Sequence, residues 1–158
     1  MSQAEQNKDL IETFFSSFKK GDGDAMASCY HPDAVFSDPV FPKLSADEAG
    51  AMWKMFCRPG SDLQVEYGEL ETTESSGSAS WEARYSFPPG GRNVHNRIRS
   101  AFEFEDGKII KHTDTFDFYK WSRMALGPVG ILLGWTPIVR SKVQSQARAQ
   151  LSRSMSSS

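Results

Sequence analysis

The longest regular pattern in the chain is an alternation of apolar and polar side chains over residues 92–118, interrupted at Asp106-Gly107. Alternation with a period of two predicts half-buried β-strands, and an Asp-Gly pair predicts the turn between them. On the second strand, His112 and Asp114 share a face with apolar neighbours. The pattern therefore predicts a long hairpin that carries an imidazole and a carboxylate on its buried face.

The register of this hairpin depends on the length of its turn, because a shift of one residue moves every side chain to the opposite face. A two-residue turn at Asp106-Gly107 mixes the two apolar faces. A three-residue loop over 105–107, with Gly107 at positive φ, brings them together, and we predict this loop. The expected cross-strand pairs are Phe102 with Ile110, Ser100 with His112, and Ile98 with Asp114.

Three helices are predicted ahead of the main sheet. The first carries an apolar stripe that ends before Lys19-Lys20-Gly21, a typical helix C-terminus. The second is short, and Asp22 or Asp24 can cap it. The third begins at Ser45, which forms a capping-box pattern with Glu48.

Shorter alternating stretches predict further strands at 34–38, 63–70 and 81–87, the last of which precedes a Pro- and Gly-rich turn at 88–91. Helices followed by successive antiparallel strands indicate an α+β fold. We expect a curved antiparallel sheet wrapped around the N-terminal helices, giving a cone with an internal cavity.

Length and composition limit the classes of protein to consider. The 158 residues fit one domain. No signal-peptide pattern and no apolar run of about 18 residues is visible, so we expect a cytoplasmic protein without a membrane span. Cys29 and Cys57 lack metal or redox spacing and are expected to be reduced thiols.

The C-terminal segment differs in charge from the remainder. Residues 118–158 contain six basic and no acidic residues. We divide the chain into a domain over 1–121 and an extension over 122–158, in which apolar residues recur every four positions on a predicted basic helix over 138–153. This helix could pack on the domain, contact a partner subunit or rest on an anionic membrane surface, and packing on protein is favoured. Its apolar side comprises Val139, Val143, Ala147 and Leu151.

Nucleotide, metal and nucleic-acid chemistry lack support in the sequence. There is no Walker motif, GxGxxG or GxSxG. His112 and Asp114 could supply two metal ligands, but a third with suitable spacing is missing, and His31 beside Pro32 is expected to lie in a loop. We predict no cofactor and no metal. Alternating basic and acidic residues on the outer sheet face argue against nucleic-acid binding.

Four stretches resemble the nuclear transport factor 2-like superfamily, whose members have a cystatin-like cone fold. They are FFSSFKKGDGDAM, YHPDAVFSDP, the capped helix from Ser45, and FEFEDGKIIKHTDTFD, and the resemblance spans about residues 5–121. The superfamily includes steroid isomerases, polyketide cyclases, limonene epoxide hydrolase and non-catalytic transport and scaffold proteins. The resemblance implies this fold and a homodimer formed through the sheet.

The resemblance also implies candidate catalytic residues. Asp38 falls where steroid isomerases have their general base, whereas Phe14 and Ser100 occupy the positions of the two oxyanion donors. The polyketide-cyclase branch relies on one acidic residue from the last strand, which corresponds to Asp114.

Limonene epoxide hydrolase matches less of the site. Asp114 corresponds to a catalytic acid or base of that enzyme, and Asp38 to its water-holding Asn. Its Arg and second Asp fall near Trp81 and Ala83, so only part of that triad is present.

Together, these observations predict an enzyme without a cofactor that acts on a small, apolar, ring-containing molecule by general acid–base catalysis, as a cyclase, isomerase, dehydratase or hydrolase. Asp114 is the principal acid or base. His112 is its orienting residue or proton partner, and Asp38 is the second carboxylate, which holds water or accepts a proton. The alternative is a non-catalytic ligand-binding or dimeric scaffold protein of the same fold. The predicted substrate-binding residues are Trp81, Tyr85, Phe36, Trp53, Tyr30, Phe14, Ser100 and Asn96.

Overall fold

The protein combines six helices with a six-stranded sheet in the described residues of its computed structural model, which are 1–87 and 91–156. The predicted turn at 88–91 therefore lies outside them, apart from Gly91. The helices are α1 Gln3–Lys20, α2 Gly23–Ala27, α3 Ala46–Phe56, α4 Phe118–Leu126, α5 Pro128–Leu133 and α6 Pro137–Ser156. The strands are β1 Tyr30–Ser37, β2 Leu44–Ser45, β3 Gln64–Thr72, β4 Ser76–Phe87, β5 Arg92–Glu105 and β6 Lys108–Thr115.

The three N-terminal helices begin at residues that cap them, and two of these caps were expected. Ser45 and Glu48 form the predicted capping box of α3, and Asp22 caps α2 by accepting a hydrogen bond from the Ala25 N–H. Helix α1 starts at an unpredicted capping box of Ser2 and Glu5. Each cap satisfies backbone N–H groups that a helix N-terminus leaves without partners.

The sheet is mixed, with the strand order β2-β1-β6-β5-β4-β3. Four pairings are antiparallel, whereas β1 and β6 run parallel. Strand β1 starts at Tyr30, four residues before the predicted strand, and places His31 in the sheet, so the expected loop at His31 was wrong. The short strand β2 was not predicted. Two residues are too few to show a period in the sequence.

The β5–β6 hairpin has a two-residue turn, and the predicted three-residue loop was wrong. Asp106 has φ 54° and Gly107 has the expected positive φ, 74°, a pair of values typical of a type I′ turn. A bulge lies between the Phe104–Ile109 and Glu103–Lys111 pairs and leaves Ile110 unpaired. The resulting register places Phe102 opposite His112 and Ser100 opposite Asp114.

The bulge explains how a two-residue turn is compatible with a common apolar face on β5 and β6. One extra residue on β6 returns its apolar face to the face of β5. Ile109 and His112 are consequently both buried, although they are three positions apart. A longer loop is not needed to bring the faces together.

The core consists of two clusters of buried apolar residues. The larger packs α1 and α3 against the sheet. The smaller contains Val94 of β5, Phe118, Trp121 and Ala125 of α4, and Val143 of α6. Half-buried side chains that touch both clusters include Val40, Tyr85 and Phe116.

Helix α6 lies against the N-terminal part of the chain. Val143 and Leu151 are buried, and Leu151 belongs to the larger cluster. Arg148 forms an ion pair with Glu48 of α3. The apolar side of this helix is therefore covered by the chain itself. Among the described residues, no helix is long and apolar enough to cross a bilayer.

Candidate active site

His112 lies in the middle of the larger cluster, where aromatic rings enclose its imidazole. Its exposed fraction is 1 %. The rings of Phe102 and Phe36 are centred 4.4 and 4.9 Å from it, and the rings of Phe14, Tyr30 and Trp53 lie within 6.2 Å. This packing fixes the position of the imidazole and restricts its rotation.

One side of the imidazole is hydrogen-bonded to Tyr30. The indole Nε1–H of Trp53 donates to the Tyr30 hydroxyl at 2.8 Å, and that hydroxyl lies 2.8 Å from Nδ1 of His112. An indole can only donate, so the Tyr30 oxygen accepts from Trp53 and its own proton is directed to His112. Nδ1 is therefore the acceptor nitrogen, and a neutral imidazole carries its proton on Nε2.

The other side of the imidazole faces Asp114. Nε2 of His112 lies 2.7 Å from Oδ1 of Asp114 and donates its proton to that oxygen. The Ser100 hydroxyl donates to the same oxygen, and the Trp81 indole donates to Ser100 at 2.9 Å. We call these six hydrogen-bonded residues the buried relay: Trp53, Tyr30, His112, Asp114, Ser100 and Trp81.

The second carboxylate oxygen of Asp114, Oδ2, accepts no hydrogen bond from the described residues. Both hydrogen bonds end on Oδ1, and no group in the described part of the chain bonds to Oδ2. Asp114 is only 3 % exposed, yet no fully buried polar side-chain atom of the described residues lacks a partner. Oδ2 therefore retains a small accessible surface and is the oxygen of Asp114 without a hydrogen-bond partner among the described residues.

Tyr30 is held in its neutral form. Burial raises the pKa of its hydroxyl well above the ordinary value, with the charge on Asp114 adding to the effect and the Trp53 hydrogen bond opposing it. Tyr30 consequently keeps its hydroxyl proton throughout the neutral pH range.

Asp38 directly follows β1 and provides a second carboxyl group. Its Oδ1 accepts hydrogen bonds from the backbone N–H groups of Val40 at 2.7 Å and Phe41 at 2.6 Å. Burial raises the pKa of Asp38 from 3.8 to about 7; the bonds from Phe41 and Val40 lower it, and the charge on Asp114 raises it further. The two carboxyl groups therefore interact electrostatically, and Asp38 titrates near neutral pH.

Tyr85 and Asn96 add polar groups near the junction of the two clusters. Trp121 of α4 donates to the Tyr85 hydroxyl at 2.8 Å. Burial raises the pKa of Tyr85, the bond from Trp121 opposes this, and the charge on Asp38 adds to it. Asn96 is 8 % exposed, and its amide has no hydrogen-bond partner among the described residues. That amide is available to a ligand.

Most of the chain matches one protein family. Residues 11–112 match the family model described as a SnoaL-like domain. The chain belongs to this family. No curated protein matches the SnoaL-like chain in a sequence comparison.

Solved structures with the same fold include enzymes with different activities. An epoxide hydrolase from M. tuberculosis has a TM-score of 0.64 at 17% identity, covering 83% of this chain and 98% of that one. TerC, crystallised with polyporic acid, has a TM-score of 0.64 at 16% identity and coverage of 77% and 99%. The epoxide hydrolase/cyclase-like enzyme SalBIII has a TM-score of 0.64 at 17% identity, covering 75% of this chain and 97% of that one. At such identities, the likeness establishes the fold of this SnoaL-like chain.

The predicted site residues fall into three groups in the SnoaL-like fold. Six form the buried relay. Asp38 interacts electrostatically with Asp114 of the relay, and the charge on Asp38 in turn raises the pKa of Tyr85. Phe14 and Phe36 enclose the imidazole, and Asn96 faces inward on β5 without bonding to the relay.

Sequence reasoning missed the contributions of Trp121 and of the backbone after Asp38. A signal for Trp121 was present, because Phe118, Trp121 and Ala125 have helical spacing after Asp117, which caps α4. The N–H groups that bind Asp38 belong to a turn and leave no pattern of side chains.

Among the described residues of the SnoaL-like chain, metal-ligating groups come together at one surface site. Ligand atoms of His31, Glu105 and Asp106 lie within 4.8 Å of one another, and His31 Nε2 is 3.5 Å from each carboxylate. Exposed acidic clusters of this kind are common without an ion. At the buried relay, both ring nitrogens of His112 already have hydrogen-bond partners, so the imidazole is not free to bind a metal.

Proposed function

We propose that this protein is a cytoplasmic enzyme without a cofactor that acts on a small, apolar, ring-containing molecule by general acid–base catalysis. The observation that carries the proposal is the pair of interacting carboxyl groups, Asp114 and Asp38. The first is oriented by the buried relay, and burial raises the pKa of the second to about 7. Two carboxyl groups in different environments can take different proton-transfer roles.

In the proposed mechanism, Oδ2 of Asp114 removes a proton from the substrate or from a water molecule. Before this step, His112 and Ser100 donate to Oδ1 and hold the carboxylate in one orientation. Asp38, which is partly protonated at neutral pH, returns a proton at a second position. Isomerisation, cyclisation, dehydration and hydrolysis all require removal and delivery of a proton at separate positions.

The proposed substrate site lies between the two apolar clusters, at Val40, Tyr85 and Phe116. These half-buried side chains touch both clusters and offer apolar contacts to a ring. The Asn96 amide would bind a polar substituent of the substrate. Among the structural neighbours, SalBIII is described as acting in pyran ring formation, which is consistent with a ring-containing substrate.

Six predicted binding residues receive a different role in this proposal. Phe14, Phe36 and Trp53 are almost completely buried, and Tyr30 uses its hydroxyl within the relay. We assign them to the wall that positions His112, while Trp81 and Ser100 orient Asp114 from the other side.

A non-catalytic role is the second candidate, and one observation favours it. Trp53, Tyr30, His112, Ser100 and Trp81 satisfy their hydrogen bonds with one another and with Oδ1 of Asp114 within a densely packed core, as a structural network would. In that case the outer face of β4 and β5 is the proposed homodimer surface. That face carries a cross-strand ion pair of Glu82 with Arg97 at 3.2 Å and a hydrogen bond between Glu82 and His95 at 2.7 Å.

The test compares wild type with Asp114→Asn and Asp38→Asn on a panel of polyketide, terpenoid and steroid-like compounds. Asp9→Asn, an exposed position on α1, is the matched control. Turnover by wild type and the control, with loss in both site variants at unchanged melting temperature, supports catalysis. Saturable binding without turnover of any compound would favour the second candidate.

A further inference from the structure

Helix α5 and the start of α6 expose an unusual number of large apolar side chains. Leu132 is 70 % exposed, Trp135 71 % and Ile138 79 %. Contiguous exposed apolar side chains mark surfaces that meet another phase or partner. We call the following six residues the apolar patch: Val129, Ile131, Leu132, Leu133, Trp135 and Ile138.

The patch points outward because the opposite side of α5 is fixed to α4. A Cβ atom at Gly130 would lie 1.9 Å from the Ser122 carbonyl oxygen, and one at Gly134 would lie 2.1 Å from the Ser122 hydroxyl. Tyr119 of α4 also donates to the Ile131 carbonyl at 2.9 Å. Only glycine permits this close contact, so the small residues face α4 and the large ones are presented outside.

The segment that carries the patch, residues 118–158, has charges of a single sign. Lys120, Arg123, Arg140 and Lys142 are exposed, and none lies within ion-pair distance of a carboxylate in the part of the chain that the structure describes. Residues 118–158 contain no acidic residue at all. The apolar patch therefore has basic neighbours whose charges are not neutralised locally.

From these observations we infer that the apolar patch and its basic neighbours dock the protein on the surface of an anionic lipid bilayer. Apolar side chains would enter the acyl boundary while the cations contact lipid phosphates. Trp135 suits this position because its indole ring prefers the interface between apolar and polar phases. The docking does not depend on the proposed catalytic function.

A second copy of the chain fits the same surface less well. In a symmetric dimer the same patch faces itself, so the cations of one copy would oppose those of the other. No acidic group in residues 118–158 could compensate them. An anionic bilayer supplies the missing negative charge.

The experiment uses the full chain with vesicles of phosphatidylcholine, with and without phosphatidylglycerol. Trp135 is highly exposed, whereas Trp53, Trp81 and Trp121 are buried, so quenching by brominated lipids reports on the patch. We expect sedimentation with the anionic vesicles, quenching of Trp135, and weakening of binding by salt.

Two double variants separate the apolar and the electrostatic contributions. Leu132→Ser/Leu133→Ser and Lys120→Gln/Lys142→Gln should each weaken partitioning about tenfold or more. Lys8→Gln/Lys43→Gln, at exposed basic positions elsewhere, should leave it unchanged. Absence of binding to anionic vesicles would overturn the inference, as would equal binding to neutral ones. Self-association that is lost in the leucine variant, without any vesicle binding, would assign the patch to a second copy.

Discussion

Nε2 of His112 lies 2.7 Å from Oδ1 of Asp114, two positions away on the same strand. This contact needs only the alternation of a β-strand, which places residues i and i+2 on one face. The orientation of the two side chains depends on residues from other strands. The Tyr30 hydroxyl bonds to Nδ1 of His112, and the Ser100 hydroxyl donates to Oδ1 of Asp114. The pair is therefore held in one hydrogen-bonding arrangement within an otherwise apolar core.

Asp114→Asn should remove most of any catalytic activity while preserving the fold. Asparagine keeps the shape and one acceptor oxygen, but it cannot exchange a proton, and loss of a general acid or base typically lowers the rate about 10²–10⁴-fold. Steady-state turnover of a substrate found in the panel is the measurement, with Asp9→Asn as control. Unchanged turnover would remove Asp114 from the mechanism and leave Asp38 as the candidate.

Asp38 should make stability depend on pH. Its pKa in the folded protein, about 7, lies above its ordinary value of 3.8, so between these values the folded state binds more protons than the unfolded chain. The contribution of Asp38 is therefore present at low pH and is lost as the pH rises through about 7.

Asp38→Asn should abolish that dependence, because the amide does not ionise and its oxygen can still accept from Val40 and Phe41. The free energy of unfolding of the variant should match wild type near pH 4 and exceed it above pH 7, by at most about 4 kcal/mol. Urea titrations across this pH range measure the difference. A difference that does not change with pH would contradict the raised pKa.

Tyr30→Phe should destabilise the protein although it removes only one oxygen atom. The Trp53 N–H and Nδ1 of His112 would both lose their partner inside the core, at a cost of about 1–3 kcal/mol. Tyr67→Phe is the matched control, since Tyr67 bonds to Glu12 in a half-buried position and its loss should cost less. Equal effects in chemical denaturation would show that the relay does not depend on Tyr30.

Gly130→Ala should separate α5 from α4. The added methyl group cannot fit against the Ser122 carbonyl, so we expect destabilisation of about 1–3 kcal/mol, as is typical of overpacking. Gly68→Ala, where a Cβ meets nothing within 4 Å, should be close to neutral. Thermal unfolding followed by circular dichroism compares them, and equal melting temperatures would refute the close contact.

Several features were predictable because short stretches of sequence specify them. The Ser45–Glu48 capping box needs only a spacing of three residues, and the positive φ of Gly107 follows from an Asp-Gly turn. The common face of His112 and Asp114 follows from strand alternation. The α+β class follows from the order of these elements along the chain.

Other features depended on groups that are distant in sequence. The bulge at Ile110 is favoured because it aligns two apolar faces against the helices, and neither strand alone contains that information. The parallel pairing of β1 with β6 brings Tyr30 and Asp38 toward β6, although long stretches of chain separate them.

The tertiary structure likewise decided the chemistry of the site. The sequence indicated Asp38 and Asp114 as candidates. Only in the folded chain do the burial of Asp38 and the charge on Asp114 raise the pKa of Asp38 to about 7. Desolvation and charge interactions depend on three-dimensional surroundings. Residue types and local periods were thus determined by the sequence alone, whereas register, burial and electrostatic environment arose from packing between distant segments.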